Sequence, residues 1–435
     1  MGGDVESIKE RLDIVDIATP YLKLEKAGAH LKGRCPFHNE KTPSFFISPI
    51  RQSFYCFGCG AKGDVFTFIQ EVEGLDFREA LKFLAEKAGI ELKGQTREDA
   101  EHRSERDRLY AVLDEAASFY HSELKKFPQA LEYLKSREIA EESVDKWRIG
   151  YAQDEWRFLY SHLLSLGFPK EIILRAGLAK HAPGKEGKEP YDVFRGRVVF
   201  PLSDPSGRIV AFSGRALGGD VEPKYLNSPD TALFTKSELL YGLDKAKEDI
   251  RKKDYAVMVE GQIDLVLSHQ AGVVNTVASS GTAFTTAHLD RLKKLSSRII
   301  LAFDGDSAGE KAALKSAVLG MSLGMEVKIA SMPLGKDPAD TIASGPNEWK
   351  DILRKALPAV EYFINLIVER EKDSRKRGLA VKKDILPLVL LLESSIERSH
   401  FVSLVSKKMG IREEVVWDDL RLAKRPETSN SQREV

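Results

Sequence analysis

The chain has 435 residues, of which 42% are hydrophobic and 30% charged, a composition that suits a folded protein of about two to four domains. Its 66 basic and 66 acidic side chains cancel, which excludes a global attraction to nucleic acid and leaves only local basic clusters. The amino terminus lacks an export signal and the apolar runs are too short to cross a bilayer, so we expect a cytoplasmic protein without membrane contact.

The first predicted element is one short helix over 5–18, because apolar residues recur there at helical spacing until Pro20. All three cysteines of the chain follow in a single segment, as Cys35-Pro-Phe-His38 and Cys56-Phe-Gly-Cys59. Two residues separate the members of each pair, and the interval fits a hairpin of strands 44–48 and 53–55. Cys35, His38, Cys56 and Cys59 therefore predict one structural, four-coordinate zinc ion.

The same segment is both basic and aromatic. From residue 23 to residue 63 there are seven Lys or Arg and two Glu, with six aromatic side chains interleaved: Phe37, Phe45, Phe46, Phe54, Tyr55 and Phe57. Cations and exposed rings together favour single-stranded nucleic acid as a ligand, because cations pair with phosphates and rings stack on bases. Several of these rings must instead pack the small core of the ribbon, so only some can contact bases.

Two helices broken near Gly74 are predicted over 64–88, and the strongly charged stretch that follows is either a mobile linker or an exposed helix. Residues 109–177 are helical by pattern, and strands are predicted over 197–202 and 208–212, around a turn at residue 204. An α+β region is therefore expected here. It contains Arg195, Arg197, Arg215, Lys224 and Lys236, which by composition alone fit a solvated charged face as well as a binding surface.

Downstream, short apolar runs at 256–259, 273–278, 299–303 and 327–332 alternate with helical stretches, a pattern typical of a parallel sheet covered by helices. Acidic residues follow three of these runs: Glu260, then Asp304 and Asp306, then Asp337 and Asp340. Asp304-Gly-Asp306 alone could be a simple turn. Because the carboxyl ends of parallel strands share one edge, we instead expect the acids to form a Mg²⁺ site there.

The remaining chain is predicted to form a helical subdomain, followed by a disordered tail without large apolar residues except the last. The chain is predicted to contain six consecutive segments: a zinc-ribbon DNA-binding domain at 1–97, a linker at 98–110, an α+β subdomain at 111–252, a metal-binding subdomain at 253–345, a helical subdomain at 346–423 and the tail at 424–435. The expected fold class is multidomain, α/β and α+β.

Seven motifs occur together, in this order: Cys-x2-His, Cys-x2-Cys, Arg-Gly-Arg-Val-Val-Phe-Pro-Leu, Pro-Lys-Tyr-Leu-Asn-Ser-Pro, Leu-Tyr-Gly-Leu, Glu-Gly-Gln-Ile-Asp and Asp-Gly-Asp-Ser-Ala-Gly. With them the sequence closely resembles the bacterial replicative DNA primases of the DnaG type, from residue 7 to about residue 423. The resemblance implies that residues 256–340 form a Toprim fold.

The resemblance also implies roles for individual residues. Glu260, Asp304 and Asp306 match the acidic catalytic residues, Asp337 carries over as a further magnesium ligand, and Asp264 lies beside them in a direct or supporting role. The residues expected to bind nucleic acid or nucleotide are Arg148, Arg195, Arg197, Arg215, Lys224, Asn227 and Lys236. The implied cofactors are one structural Zn²⁺ and two or more catalytic Mg²⁺, for which Mn²⁺ can substitute.

Two features depart from the family pattern. The family has Asp-Pro-Asp after the fourth strand, whereas here Ala339 takes the place of the second Asp and Asp340 lies one residue further. This puts Asp340 in doubt as a ligand. The family also continues into a carboxyl-terminal domain that docks on the replicative helicase, and this sequence ends after its helical subdomain, so helicase binding is not assigned to these residues.

The expected function is synthesis of short RNA primers on single-stranded DNA during replication, from ribonucleoside triphosphates and with release of pyrophosphate, at the bacterial nucleoid. Two alternatives stay open from the residues alone. A Toprim nuclease or topoisomerase would use the same acids for cleavage, although a Gly-x4-Gly-Lys-Ser/Thr phosphate loop does not occur. A non-catalytic zinc-ribbon DNA-binding protein would use the acids only structurally.

Overall fold

The computed structural model describes residues 2–38, 40–75, 77–90, 97–182, 188–217, 222–281 and 283–426, with only the backbone for 97–103. The chain forms two compact units, Met1–Asp254 and Tyr255–Val435. Within the described ranges, every helix is too short or too polar to span a bilayer.

The first unit begins with a zinc-ribbon module. Its elements are α1 (Gly2–Arg11), α2 (Ile14–Ala18), β1 (Glu25–Ala27), β2 (His30–Gly33), β3 (Phe45–Ser48), β4 (Ser53–Cys56), β5 (Lys62–Gly63), α3 (Val65–Glu73) and α4 (Phe77–Ala88). The five strands form an antiparallel sheet in sequence order. The predicted hairpin and the helix pair broken at Gly74 are confirmed, with Gly74 at φ +71°. The single helix predicted over 5–18 is wrong, because Asp13 caps a second helix there.

Alternation along β3 and β4 divides the aromatic side chains of the ribbon between two faces. Phe45, Ile47, Phe54 and Cys56 are buried, whereas Phe46 and Tyr55 lie on the other face. Phe45 and Phe54 stack with ring centroids 5.1 Å apart, and Phe68 of α3 packs against both. The ribbon core is therefore aromatic, as the sequence requires of several of these rings.

The second part of this unit is an α+β subdomain. It contains α5 (Arg97–Leu124), α6 (Pro128–Ser136), α7 (Glu141–Lys146), β6 (Gly150–Ala152), α8 (Phe158–Ser165), α9 (Lys170–Arg175), β7 (Ala179–Lys180), β8 (Tyr191–Asp192), β9 (Arg197–Ser203), β10 (Ile209–Ala216), β11 (Tyr225–Asn227) and α10 (Leu243–Lys253). The main sheet has the order β11-β10-β9-β6, and α5 packs against it. The segment 98–110 lies inside α5, which agrees with the helix alternative for this stretch; the domain boundaries, including the linker at 98–110, stay predictions.

Buried charged groups join the ribbon to this subdomain inside the first unit. The Arg251 guanidinium of α10 donates to the backbone carbonyls of Glu71 and Val72, at the end of α3. Lys247 pairs with the Glu73 carboxylate and also donates to the Pro205 carbonyl at 2.9 Å. Burial lowers the pKa of Arg251 to about 10, and only the neighbouring acids keep it from falling further. Cations near a helix carboxyl end stabilise it, so these contacts fix α3 on α10.

The second unit is built on a five-stranded sheet of order β13-β12-β14-β15-β16, in which only β16 is antiparallel. Its elements are β12 (Ala256–Val259), α11 (Gln262–Gln270), β13 (Thr276–Ala278), α12 (Thr286–Lys293), β14 (Arg298–Leu301), α13 (Ser307–Ser322), β15 (Glu326–Ile329), α14 (Pro338–Ser344), α15 (Pro346–Arg354) and β16 (Leu357–Pro358). The four predicted strands and their parallel arrangement are confirmed. Strands β12 and β13 are buried throughout, which explains their continuous apolar sequence.

A helical subdomain completes this unit, as predicted. It consists of α16 (Ala359–Arg370), α17 (Ser374–Ala380), a π-helical turn (Val381–Ile385), α18 (Leu386–Leu391), α19 (Ser395–Met409) and α20 (Glu413–Leu422). The predicted tail lies outside the described residues from 427 onward.

Candidate metal centres and nucleic-acid interface

The predicted zinc ligands converge at one point. The sulfur atoms of Cys35 and Cys59 are 3.9 Å apart, and Cys56 Sγ lies 3.8 Å from His38 Nδ1. All four ligand atoms lie within 4.8 Å of one another. Because Zn–S bonds measure about 2.3 Å, neighbouring sulfurs of a tetrahedral site are about 3.8 Å apart. The side chains therefore have the donor set and the spacing of a closed, structural zinc site.

Glu40 supports this site, and sequence reasoning missed it. Its carboxylate accepts hydrogen bonds from the amides of Cys35 at 2.6 Å and Ser44 at 3.0 Å and from the Ser44 hydroxyl, and lies 3.3 Å from His38 Nε2. Burial opposes its charge, but these hydrogen bonds outweigh burial and hold the pKa of Glu40 below its ordinary value. A carboxylate on the far nitrogen of a ligating histidine fixes its tautomer and orientation.

Gly58 makes room for the same histidine. A Cβ atom at this position would lie 2.5 Å from His38 Nε2 and 2.8 Å from Ser44 Oγ. A side chain there would displace the groups that orient His38, which explains why glycine stands within the second cysteine pair.

The acidic residues of the second unit lie at the carboxyl edge of the parallel sheet. Strands β12 and β14 are hydrogen-bonded neighbours, with Met258 opposite Leu301. Glu260 follows β12 directly, and Asp304 and Asp306 occupy the loop between β14 and α13. Gly305 permits this loop because a Cβ atom there would lie 2.3 Å from the Pro333 carbonyl oxygen. The sheet topology thus brings Glu260 together with two acids that are more than 40 residues away in sequence.

Glu260 is partly buried beside the other two acids. Burial, and then the neighbouring charges of Asp304 and Asp306, raise its pKa to about 7, although a hydrogen bond from the Asp304 amide opposes the shift. Within the described part of the chain, its Oε1 atom is buried without a hydrogen-bond partner. A buried oxygen without a partner, beside two further carboxylates, is favourable when a cation occupies the site.

Asp306 and Asp337 both cap helices. Asp306 Oδ1 accepts from the amides of Ala308 and Gly309 at the start of α13. Asp337 Oδ1 accepts from the Asp340 amide at 2.6 Å, at the start of α14. In each carboxylate one oxygen is fixed by the cap, so the other can face a cation.

Asp340 and Asp264 have structural partners instead. Asp340 is the reciprocal member of the capping box, with Oδ2 3.5 Å from the Asp337 amide. Asp264 is buried, and its two oxygens accept from the amides of Gly261 and Ala339, each at 3.1 Å. Burial, then the charges of Asp337 and Asp304, raise the pKa of Asp264 to about 7. Asp264 therefore ties the Glu260 turn to the start of α14.

The acids are spaced more widely than the zinc ligands. Among the residues that the structure describes, the zinc site is the only group of three or more such ligands whose atoms all lie within 4.8 Å. Magnesium usually keeps several waters and takes only one or two carboxylates directly, so it does not require protein ligands this close together.

The predicted basic residues divide into buried and accessible groups. Arg197 is only 4% exposed, and its guanidinium donates to the carbonyls of Gly214, Pro223 and Lys224. Burial and these bonds give Arg197 the role of holding the end of the β10–β11 connection, at Pro223 and Lys224, and its predicted contact with nucleic acid stays a prediction. Lys224 itself is exposed on that connection, and Arg215 is half-buried on β10.

The other predicted basic-surface residues have varied partners. Arg195 stacks on Trp156, with its guanidinium carbon 4.3 Å from the ring centroid, and donates to the Asp192 carbonyl. Arg148 pairs with Asp114 at 2.5 Å. Asn227 of β11 and Lys236 are both partly exposed.

A zinc ribbon, an α+β subdomain and a parallel sheet with an acidic carboxyl edge define a Toprim-type enzyme with a zinc-binding module. Family comparisons agree: residues 2–100 match a CHC2 zinc finger, 119–247 the amino-terminal domain of the DNA primase catalytic core, and 257–342 a Toprim-like domain. A DNA primase of Clostridium acetobutylicum is 36% identical over 95% of this chain and 69% of its own length.

Solved structures give the same relationship. The zinc-binding and RNA polymerase domains of Aquifex aeolicus primase match 95% of this chain and 98% of that one, with 32% identity and a TM-score of 0.62. The RNA polymerase domain of Mycobacterium tuberculosis primase DnaG, solved with double-stranded DNA, matches 71% of this chain and 99% of that one, with 33% identity and a TM-score of 0.63. The chain belongs to the DnaG-type bacterial DNA primase family. Its activity is DNA-directed synthesis of RNA primers, and neither alternative from the sequence is favoured.

Proposed function

We propose that Glu260, Asp304, Asp306 and Asp337 hold the catalytic Mg²⁺ ions with which this chain copies single-stranded DNA into an RNA primer, in the bacterial cytoplasm. The observation that carries this proposal is the buried, unpartnered Oε1 of Glu260 beside Asp304 and Asp306 at the carboxyl edge of the sheet. Carboxylate oxygens are the donors that Mg²⁺ prefers. When bound, the cations lower the charge of the triphosphate and align the 3′ hydroxyl for in-line attack.

The residues of the chain have separate tasks in this reaction. The helix caps orient Asp306 and Asp337 before any ligand arrives, because each cap fixes one carboxylate oxygen. Glu260 Oε1 is the atom available either to bind a cation or to accept the proton of the attacking hydroxyl. Asp264 supports both turns without contacting substrate. Arg215, Lys224 and Lys236 neutralise phosphates of the template or of the incoming ribonucleoside triphosphate.

The zinc ribbon supplies a surface for the single-stranded template. Lys32, Phe46, Tyr55 and Lys62 are successive cross-strand partners and therefore share one face of the sheet. Phe57 is 72% exposed and packs against the rings of Phe46 at 5.4 Å and Tyr55 at 4.8 Å. Two cations flanking exposed rings suit a strand whose phosphates pair with lysine while its bases stack. The DNA complex of the mycobacterial RNA polymerase domain supports DNA as a ligand of this chain, whereas assigning the template to the ribbon rests on the surface residues above.

Incorporation of labelled ribonucleotides on single-stranded DNA with Mg²⁺ tests the metal assignment. We expect Asp304→Ala to abolish synthesis, while binding of a fluorescent template without Mg²⁺ stays within twofold of wild type. Equal product from the variant and the wild type would refute the metal site. For the ribbon, Phe57→Ala should weaken template binding about tenfold, since stacking on one base contributes about 1–3 kcal/mol; unchanged binding would remove the ribbon from the template site.

A further inference from the structure

Arg215 is the one partly exposed residue of β10, whose other seven residues are buried. Tyr225 lies directly opposite it on β11, and the guanidinium carbon is 4.7 Å from the centroid of the Tyr225 ring. Tyr133 of α6 contributes a second ring at 5.8 Å. The guanidinium of Arg215 therefore contacts two tyrosine rings from different elements.

Arg215 differs in its partners from the other arginines of this subdomain. Arg197 bonds to three carbonyls and Arg148 to a carboxylate. Among the residues that the structure describes, Arg215 forms no ion pair, and its Nε atom is buried without a hydrogen-bond partner. Contacts with ring faces restrain a guanidinium without using its N–H groups. The terminal N–H donors of Arg215 are thus restrained by the rings and, among the described residues, are not used in a hydrogen bond or an ion pair.

We infer that Tyr225, assisted by Tyr133, is a positioning residue that presents the Arg215 guanidinium to a phosphate group. This inference rests on the proposed phosphate contact of Arg215. A free arginine side chain loses rotamer freedom on binding, whereas a stacked one has already lost much of it, so the rings raise the affinity for phosphate. The phosphate belongs either to the triphosphate of a nucleotide or to the template backbone, and the same assay separates the two.

Steady-state primer synthesis by Tyr225→Leu and Tyr225→Phe tests the role of the ring. At saturating template, a change in the apparent KM for ribonucleotides shows that Arg215 contacts the triphosphate. At saturating ribonucleotides, a change in the apparent KM for template shows that it contacts the template backbone. Tyr225→Leu should raise one of them about tenfold with kcat within twofold, because cation–π contacts change binding by about two- to thirtyfold. Tyr225→Phe keeps the ring and should stay within twofold of wild type. A merely structural tyrosine would not separate KM from kcat in this way.

Tyr110→Leu is the matched control, because it removes another Arg–Tyr contact, with Arg208 at 4.1 Å, away from the proposed phosphate residues. Its two KM values should equal those of the wild type. If Tyr225→Leu does not fold by its thermal transition, Tyr133→Leu replaces it, with a smaller rise expected from its longer contact.

Two results would overturn different statements. If Arg215→Ala raises a KM while Tyr225→Leu, or its replacement, leaves both KM values unchanged, the positioning role is wrong and the phosphate contact stands. If Arg215→Ala itself changes neither KM, the proposed phosphate contact fails.

Discussion

Replacing Glu40 should weaken the zinc site although Glu40 is not a ligand. Its side chain is 10% exposed and serves two amides, the Ser44 hydroxyl and His38 Nε2. Loss of a partner of this kind lowers metal affinity about 10- to 100-fold, or about 1.4–2.8 kcal/mol. We expect Glu40→Gln, which keeps one acceptor oxygen, near the lower value and Glu40→Ala near the upper one. Because zinc binding contributes to folding, the ribbon should also unfold at a lower temperature.

The assay is competition for zinc between the protein and a chromogenic chelator, which gives the apparent dissociation constant of each variant. Glu25→Gln is a control on the same sheet, because Glu25 is exposed on β1. Its zinc affinity should equal that of the wild type. If Glu40→Gln and Glu40→Ala also retain the wild-type affinity, the carboxylate does not orient His38 and the reasoning is refuted.

Three further predictions concern buried or capping groups. Arg197→Met leaves three carbonyls without their donor and should lower the free energy of unfolding, measured by urea titration, by about 3 kcal/mol. Arg208→Met is the control, because Arg208 is exposed; an equal loss of stability in this variant would contradict the prediction. Asp340→Ala removes a capping partner and should lower stability by about 0.5–2 kcal/mol, while the Mg²⁺ concentration that gives half-maximal primer synthesis stays within twofold of wild type. A tenfold increase in that Mg²⁺ concentration would instead identify Asp340 as a metal ligand. Glu260 and Asp264, with pKa values of about 7, keep their protons to higher pH in the folded state than the ordinary values of about 4 allow in the unfolded chain. Stability of the metal-free protein should therefore fall as pH rises from about 4 to about 7, and Mg²⁺ should raise the unfolding midpoint more at pH 8 than at pH 6; a midpoint independent of pH would contradict this.

The sequence was sufficient where a short pattern contains the physical cause. Zinc ligands occur in close pairs because two neighbouring residues form each half of the site, so Cys35, His38, Cys56 and Cys59 were predictable. The strands of the second unit are continuous apolar runs because both faces of that sheet are covered. Acids at the ends of such strands could be expected together because the carboxyl ends of parallel strands share one edge, although the catalytic roles of Glu260, Asp304, Asp306 and Asp337 stay predictions.

Only the tertiary structure decided which polar side chains are committed to the protein itself. Arg197 and Arg215 lie in neighbouring strands, yet Arg197 donates hydrogen bonds to three carbonyls whereas Arg215 contacts the rings of two tyrosines. Asp340 became a capping residue, and Glu40 a support for His38. These partners come from turns and from elements distant in sequence, such as α6 for Arg215. Burial and hydrogen bonding depend on where the whole chain places each group, and so local patterns do not contain them.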